Sequence, residues 1–370
     1  MSGYQPVPLP SGAAGTSRDD LVAGLTDWVR SRPLRDLVAA YGAELPDRMA
    51  PAELLAWLDD FSARHWDFRR RHGAVERDEV AETALAPAVA ELVRTAAEAL
   101  GLAGPCPVPA GRYDHLLVLG GLARSCLDRT GYAAWLVGTG TVEVGEVAAL
   151  GSFRPLRPVE IERLHLPAGR TGGDPAERAA RPDSEHVARF DGGAAWRDAG
   201  ERAAQLDGGY EVDAMELGIR AAFGCPAPVQ QRRSTGEITH RSWSVAVYRP
   251  AAGPVVRVLA APSTEPATRR AHTSDTYHFW AAEVSPAPGA RVLVLTSRLY
   301  VPFQHCDAIR TLGLGYGCQV ETIGLDPGLF PGHGPVELGA DRYLQEIRSA
   351  IRSIRNLFGV LGELPSGYVP

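Results

Sequence analysis

The run Val292-Leu293-Val294-Leu295 is apolar throughout and closes on Thr296, Ser297 and Arg298. Such a run, bounded by polar turn formers, is too short for a buried helix and reads as a strand covered on both faces, as in parallel sheets. Similar runs recur at 115–119, 144–150, 243–248 and 255–260, and residues 123–137 and 212–223 between them carry helix-like spacing. Strands alternating with helices predict an α/β fold with a Rossmann-like, doubly wound, mostly parallel sheet. In such a sheet ligands sit in the loops that leave the carboxyl ends of the strands, so the residues just after each run are the candidates for function.

The first hundred residues follow a helical period instead. Leu21, Leu25, Trp28 and Val29 recur at helix spacing, Pro51 can open a helix carrying Leu54, Leu55, Leu58 and Phe61, and residues 80–100 supply a third helix. Pro105, Pro107 and Pro109 break the pattern, which gives a helical N-terminal region over 17–110 and an α/β domain over 111–370. Residues 1–16, rich in proline and glycine without a basic-then-apolar pattern, read as a disordered tail and not as a signal peptide or anchor. The stretch 167–209, rich in Gly, Asp, Arg and Ala, predicts an insertion or mobile flap. Leu344, Ile347, Ile351, Ile354 and Phe358 step by three and four, forming a closing amphipathic helix with Arg348, Arg352 and Arg355 toward water.

Composition narrows the class of partner. With 45% hydrophobic and 22% charged residues in a chain of 370 and a net charge of −6, the expectation is a soluble globular protein with no nucleic-acid partner. No run approaches the roughly 20 apolar residues of a membrane span, so no membrane partner is expected, and the pattern leaves room for a homo-oligomer. The five cysteines, Cys106, Cys126, Cys225, Cys306 and Cys318, are scattered and odd in number. They build neither a disulfide framework nor a metal knuckle, and reduced thiols point to the cytoplasm.

Five segments carry the candidate chemistry. Gly120-Gly121 after a strand, followed by Arg124, can present backbone amides, a helix N-terminus and a guanidinium to an anion, or can be a tight turn alone. Ser152 and Arg154 end the second strand, where an arginine suits a planar anion or pairs with Glu160 or Glu162. Glu211 opens a helix and is a cap or, if the sheet brings it over the glycine turn, a general base or a holder of a ribose-like diol. Thr273, Ser274 and Asp275 precede Phe279 and Trp280 as helix-capping residues with ligand contact as the other reading; His272 and His278 lack a third ligand for zinc, and no metal is expected. Thr296, Ser297, Arg298 and Tyr300 stand at the end of the opening run, with His305 as proton carrier or structural histidine and Cys306 as a nucleophile only if its pKa is lowered. The patch Trp66-Asp67-Phe68-Arg69-Arg70-Arg71 reads as a solvated arginine face packed by aromatics, with binding of acidic groups or closure over the site as the other readings.

The order of these segments resembles the SanA/ElyC/YdcF family of bacterial proteins. The matching parts are Leu119-Gly120-Gly121 with the following arginine, Gly151-Ser152, the Glu211 helix, residues 273–276, and Val294-Leu295-Thr296-Ser297 with the later tyrosine and histidine. The similarity covers roughly residues 114–324. The family usually shows a Thr-Ser-x-Tyr-His-x-x-Arg run, whereas here Tyr300 is followed by Val301 and the histidine falls at 305. The resemblance implies a Rossmann-like domain and a specialised branch; it leaves the cofactor unknown, with S-adenosylmethionine, proposed to bind one member, as the candidate.

The expected function is therefore a cytoplasmic enzyme that binds a nucleotide-like or otherwise anionic metabolite at the carboxyl edge of the sheet. Gly120, Gly121, Arg124 and Arg154 would hold the anion, Ser297 and Arg298 would complete the pocket, and Glu211 with His305 would move protons in group transfer or hydrolysis. Two alternatives stand beside it: a non-catalytic ligand-sensing or scaffold protein, and an S-adenosylmethionine-dependent transferase.

Overall fold

The computed structural model describes residues 3–68, 83–109, 111–165, 206–325 and 338–365. Helix α1 (Arg18–Val29) starts at Ser17, whose hydroxyl accepts from the Asp20 amide while the Asp20 carboxylate accepts from the Ser17 amide, a reciprocal cap. Helices α2 (Arg32–Ala40), α3 (Pro51–His65) and α4 (Pro87–Ala99) each carry a proline in the first turn, where a missing N–H costs nothing. Then come β1 (Gly111–Leu119), α5 (Ala123–Gly138), β2 (Val142–Gly151), α6 (Pro158–His165), α7 (Glu211–Ala222), β3 (Gln230–Arg233), β4 (Ser244–Tyr248) and β5 (Val255–Ala260). The order closes with α8 (Thr273–Val284), β6 (Arg291–Ser297), α9 (Val301–Ala308), β7 (Gln319–Leu325) and α10 (Ala340–Gly362).

These elements fall into two compact units, each drawn from more than one stretch of sequence. The first comprises Met1–Cys106, Arg298–Gly324 and Glu337–Pro370. Its core is helical: Leu25, Trp28, Leu54, Leu58, Phe61, Ile347, Ile351 and Ile354 are all buried, because α10 packs on α1, α3 and α4. The expected water-facing arginines of α10 divide: Arg352 and Arg355 are exposed, while Arg348 is largely covered and pairs with Asp67 at 3.1 Å. Trp66 and Phe68 are buried, and the rest of the expected arginine patch, 69–71, lies outside the described residues.

Residues 3–16, expected as a disordered tail, form no helix or strand, yet their backbone is bonded at several points. The Val7 amide donates to the Ala99 carbonyl at 2.8 Å, and the Gly12 carbonyl accepts from the Val320 amide at 2.8 Å. The Tyr4 hydroxyl donates to Asp36 at 2.7 Å. Most of the expected insertion at 167–209 lies outside the described residues.

The second unit comprises Pro107–Ser297 and Leu325–Val336 and holds six of the seven strands among the described residues. They stand in the order β3-β4-β5-β2-β1-β6. β1, β2, β5 and β6 run parallel; β3 and β4 are antiparallel additions at one edge. This is the Rossmann-like, mostly parallel α/β arrangement read from the sequence. The step β1-α5-β2 moves along the sheet in one direction and β5-α8-β6 in the other, so right-handed crossovers put α5 and α8 on opposite faces. Helices α5 and α7 pack together so closely that a side chain at Gly218 would collide with Thr130. Among the described residues, no helix is long and apolar enough to cross a membrane.

Candidate functional site

The glycine turn after β1 is shaped by two side chains and one backbone bond. The Gly120 amide donates to the Leu150 carbonyl at 2.8 Å, which extends the pairing of β1 with β2 by one step. Glu211 then lies directly on this glycine, since a Cβ at Gly120 would sit 2.6 Å from Glu211 Oε1. Below the turn, buried Arg129 of α5 donates through Nη1 to the Leu119 carbonyl at 2.7 Å and to the Gly120 carbonyl.

Glu211 is brought there by the strand end that precedes it. Residues 152–154 clip onto the first turn of α7, with the Ser152 carbonyl accepting from the Val212 amide at 3.2 Å and the Arg154 carbonyl from the Glu211 amide at 2.8 Å. These bonds satisfy helix-end amides that would otherwise lack partners. The Ser152 hydroxyl donates to Glu211 Oε2 at 2.6 Å. Burial pushes the Glu211 carboxyl above its ordinary range, against the opposing pull of Arg154, the Ser152 hydrogen bond, Arg270 and Arg129.

A small cleft, partly open to solvent, lies at this place. It is lined by Leu119 and Gly120 at the end of β1, Leu150, Gly151 and Ser152 at the end of β2, Glu211 from α7, and His272, Thr273 and Thr276 at the start of α8. Four residues expected from the sequence, Gly120, Ser152, Glu211 and Thr273, thus meet at the carboxyl ends of parallel strands.

The expected anion holders have other partners. Arg154 forks onto Glu160, Nη1 to Oε1 at 2.6 Å and Nη2 to Oε2 at 3.0 Å, and its Nη2 also donates to the Gly121 carbonyl at 2.7 Å. Arg124 pairs with Asp128 one turn on, at 3.1 Å. Asp275 accepts from the Thr264 hydroxyl at 2.6 Å and the His272 amide at 2.8 Å and pairs with Arg269. Burial would raise its carboxyl, but these partners outweigh burial and hold it well below the usual range. Ser274 and Thr296 are buried.

Ser297 accepts from Arg129 Nη2 at 2.9 Å. Arg298, Tyr300 and His305 belong to the first unit, whereas every residue lining the cleft belongs to the second. Arg298 Nε donates to the Ala103 carbonyl at 3.2 Å, and its Nη1 reaches the Cys106 sulfur at 3.3 Å. Tyr300 ends a short 3₁₀ turn ahead of α9. His305 is buried, with Nε2 2.8 Å from the Pro10 carbonyl and Nδ1 3.1 Å from Thr322 Oγ1. A carbonyl only accepts, so Nε2 carries the proton and Nδ1 accepts from the threonine. Burial lowers its pKa, which favours the neutral ring. Cys306 is likewise buried, and burial raises its thiol far above the range of a nucleophile.

Arg129 was the residue that sequence reasoning missed. Its signal was a charged residue in phase with Cys126 and Ala133 on the inward stripe of α5, where an apolar residue would be expected.

Residues 12–101 match the family model described as the Rv3785 N-terminal domain. The chain is 29% identical over 372 residues to the uncharacterized protein Rv3785 of Mycobacterium tuberculosis, covering 95% of this chain and 93% of that one. The uncharacterized protein Mb3814 of Mycobacterium bovis matches to the same extent. No solved structure matches the chain. These findings overturn the resemblance to the SanA/ElyC/YdcF family: the family model falls on the N-terminal helices, which that resemblance left unmatched. Its matching parts, glycines and hydroxyls at strand ends, are what any doubly wound sheet needs at its carboxyl edge.

Proposed function

We propose that the protein is a cytoplasmic enzyme that takes a small anionic metabolite into the cleft at the carboxyl ends of β1 and β2. There it moves a proton through Glu211 in group transfer or hydrolysis. The observation that carries this reading is the Glu211 carboxyl itself, half-buried in the cleft wall, raised by desolvation, and held on one oxygen by a hydroxyl, not a guanidinium. Carboxylates buried for structure alone are ordinarily ion-paired, as Asp275 is with Arg269; one lifted toward neutrality in a cleft is suited to give and take a proton. Support for an anionic ligand comes from the α8 side of the cleft, where His272, Thr273 and Thr276 stand at a helix N-terminus and the charge of Arg270 reaches Glu211. The five free, buried thiols suit a reducing compartment.

The test is a thermal-shift panel of nucleotides, sugar phosphates, carboxylates and S-adenosylmethionine on the wild type and Glu211→Gln, followed by turnover assays on whatever binds. Binding to both forms with product from the wild type alone is the expected result. A ligand that binds and is left intact by both forms overturns catalysis in favour of sensing, and turnover undiminished in Glu211→Gln removes the role given to this residue. Calorimetry with S-adenosylmethionine that shows no heat ends the methyl-transfer alternative.

A further inference from the structure

We infer that Glu160 is a specificity-determining residue of the glycine turn beside this cleft: its carboxylate stands where a ligand phosphate would sit at the N-terminus of α5, and so it excludes phosphate from the turn. The inference rests on the reading of the cleft as a ligand site and narrows the class of ligand.

In a doubly wound sheet, the turn from the first strand into its helix is the natural seat for an anion, because the helix-end amides point outward and the helix dipole adds partial positive charge. Here one of those donors already faces an anion that the chain provides. The amide of Ala123, first residue of α5, donates to Glu160 Oε2 at 3.0 Å. Arg154 supplies its forked pair to both oxygens, and Arg157 reaches Oε1 through Nε at 3.2 Å and through its amide at 3.4 Å. One helix-end amide and two guanidiniums around a group only 2% exposed form the set of donors expected for a phosphate.

Geometry also shows why a ligand does not displace it. Glu160 sits in the first turn of α6, and the Arg157 amide and side chain hold its carboxylate from the preceding residues. Expelling it would strand a buried carboxylate and break the fork to Arg154, and a phosphate drawn up beside it would meet like charge in a poorly screened place. The anionic group of the ligand must then lie on the α8 side of the cleft, near Thr273, with the glycine turn against an uncharged part of the molecule.

The test is chemical rescue. Glu160→Ala should melt about 5–10 °C below the wild type, and inorganic phosphate should raise its melting temperature along a saturable curve that chloride at equal ionic strength does not give. The wild type should show no saturable response. A second substitution, Arg154→Ala, should remove the rescue. A saturable phosphate response in the wild type, or none in a folded Glu160→Ala, overturns the assignment. Should that variant fail to fold, phosphorus NMR of inorganic phosphate with the wild type decides: an unshifted, unbroadened signal supports exclusion, and a saturable shift overturns it. Glu211→Gln placed in the Glu160→Ala background separates this from the proposed function. Rescue that persists without turnover in any form defeats the catalytic reading and leaves the role of Glu160 standing.

Discussion

Arg129 and Ser297 are joined by hydrogen bonds from Nη2 at 2.9 Å and Nε at 3.3 Å, while the same guanidinium holds the carbonyls at the end of β1. Strand order reverses between β1 and β6, and ligands of doubly wound sheets commonly enter the crevice at that reversal. In this protein an arginine bridges those two strand ends, and the cleft opens instead beside β1 and β2. Replacing Arg129 by Met should lower stability by about 2–4 kcal/mol, because buried carbonyls lose charge-assisted bonds, and Lys should recover part of the loss. Urea denaturation measures it, and an unchanged midpoint for the Met variant contradicts the bridge.

Gly120 has no room for a side chain. The Cβ of Gly120→Ala would press on Glu211 Oε1 at 2.6 Å and on the Leu150 carbonyl at 2.8 Å. The variant should lose about 1–3 kcal/mol and, by displacing the Glu211 carboxyl, its ligand response in thermal-shift assays. Wild-type melting and ligand response together would show that Glu211 does not rest on this glycine.

The raised Glu211 carboxyl makes stability depend on pH with a definite sign. Above its ordinary value of 4.5 the folded state keeps a proton that the unfolded chain has released, so stability falls as pH rises until the folded-state pKa is passed. Glu211→Gln should lack that fall and be at least as stable near neutrality. If Glu211 is the general base, kcat/KM of the wild type rises with pH across the same window. Midpoints measured across the pH range that run parallel for the two proteins would count against the raised carboxyl.

His305 titrates with the opposite consequence. Its folded pKa is depressed by burial, so as pH falls below the ordinary 6.5 the unfolded chain takes up a proton that the native ring refuses, and stability is lost. His305→Gln should be less stable at neutral pH, show a flatter acid limb, and keep the ligand response of the cleft, to which His305 contributes no wall. Loss of ligand response without loss of stability would return His305 to the site.

Much of the sheet was legible because its strands are covered. The apolar runs at 255–260 and 292–295 appear as β5 and β6, the latter one residue longer at the start and two at the end. β3 was not legible: Gln230–Arg233 is polar and exposed throughout, and pairing with β4 alone makes it a strand. β7 alternates buried and half-buried residues too weakly to stand out. At the site, Glu211 and Gly120 were legible as chemistry, while their meeting depends on the clip between residues 152–154 and α7, a long-range event with no local pattern. Arg154 showed as an arginine at a strand end, but whether it would bind a ligand or Glu160 was settled only by where α6 begins. His305 had the right residue type in the wrong place, because its partners, Pro10 and Thr322, come from distant parts of the chain.

Helix α10 lies against α1, α3 and α4, and Ile347, Ile351 and Ile354 complete the core those helices begin. A gene fragment that stops after residue 101 would therefore encode helices whose apolar stripes lack their covering partner. Such a fragment should collect in inclusion bodies unless a peptide of α10 is co-expressed. During synthesis the opening helices must wait, unfinished, until α10 leaves the ribosome.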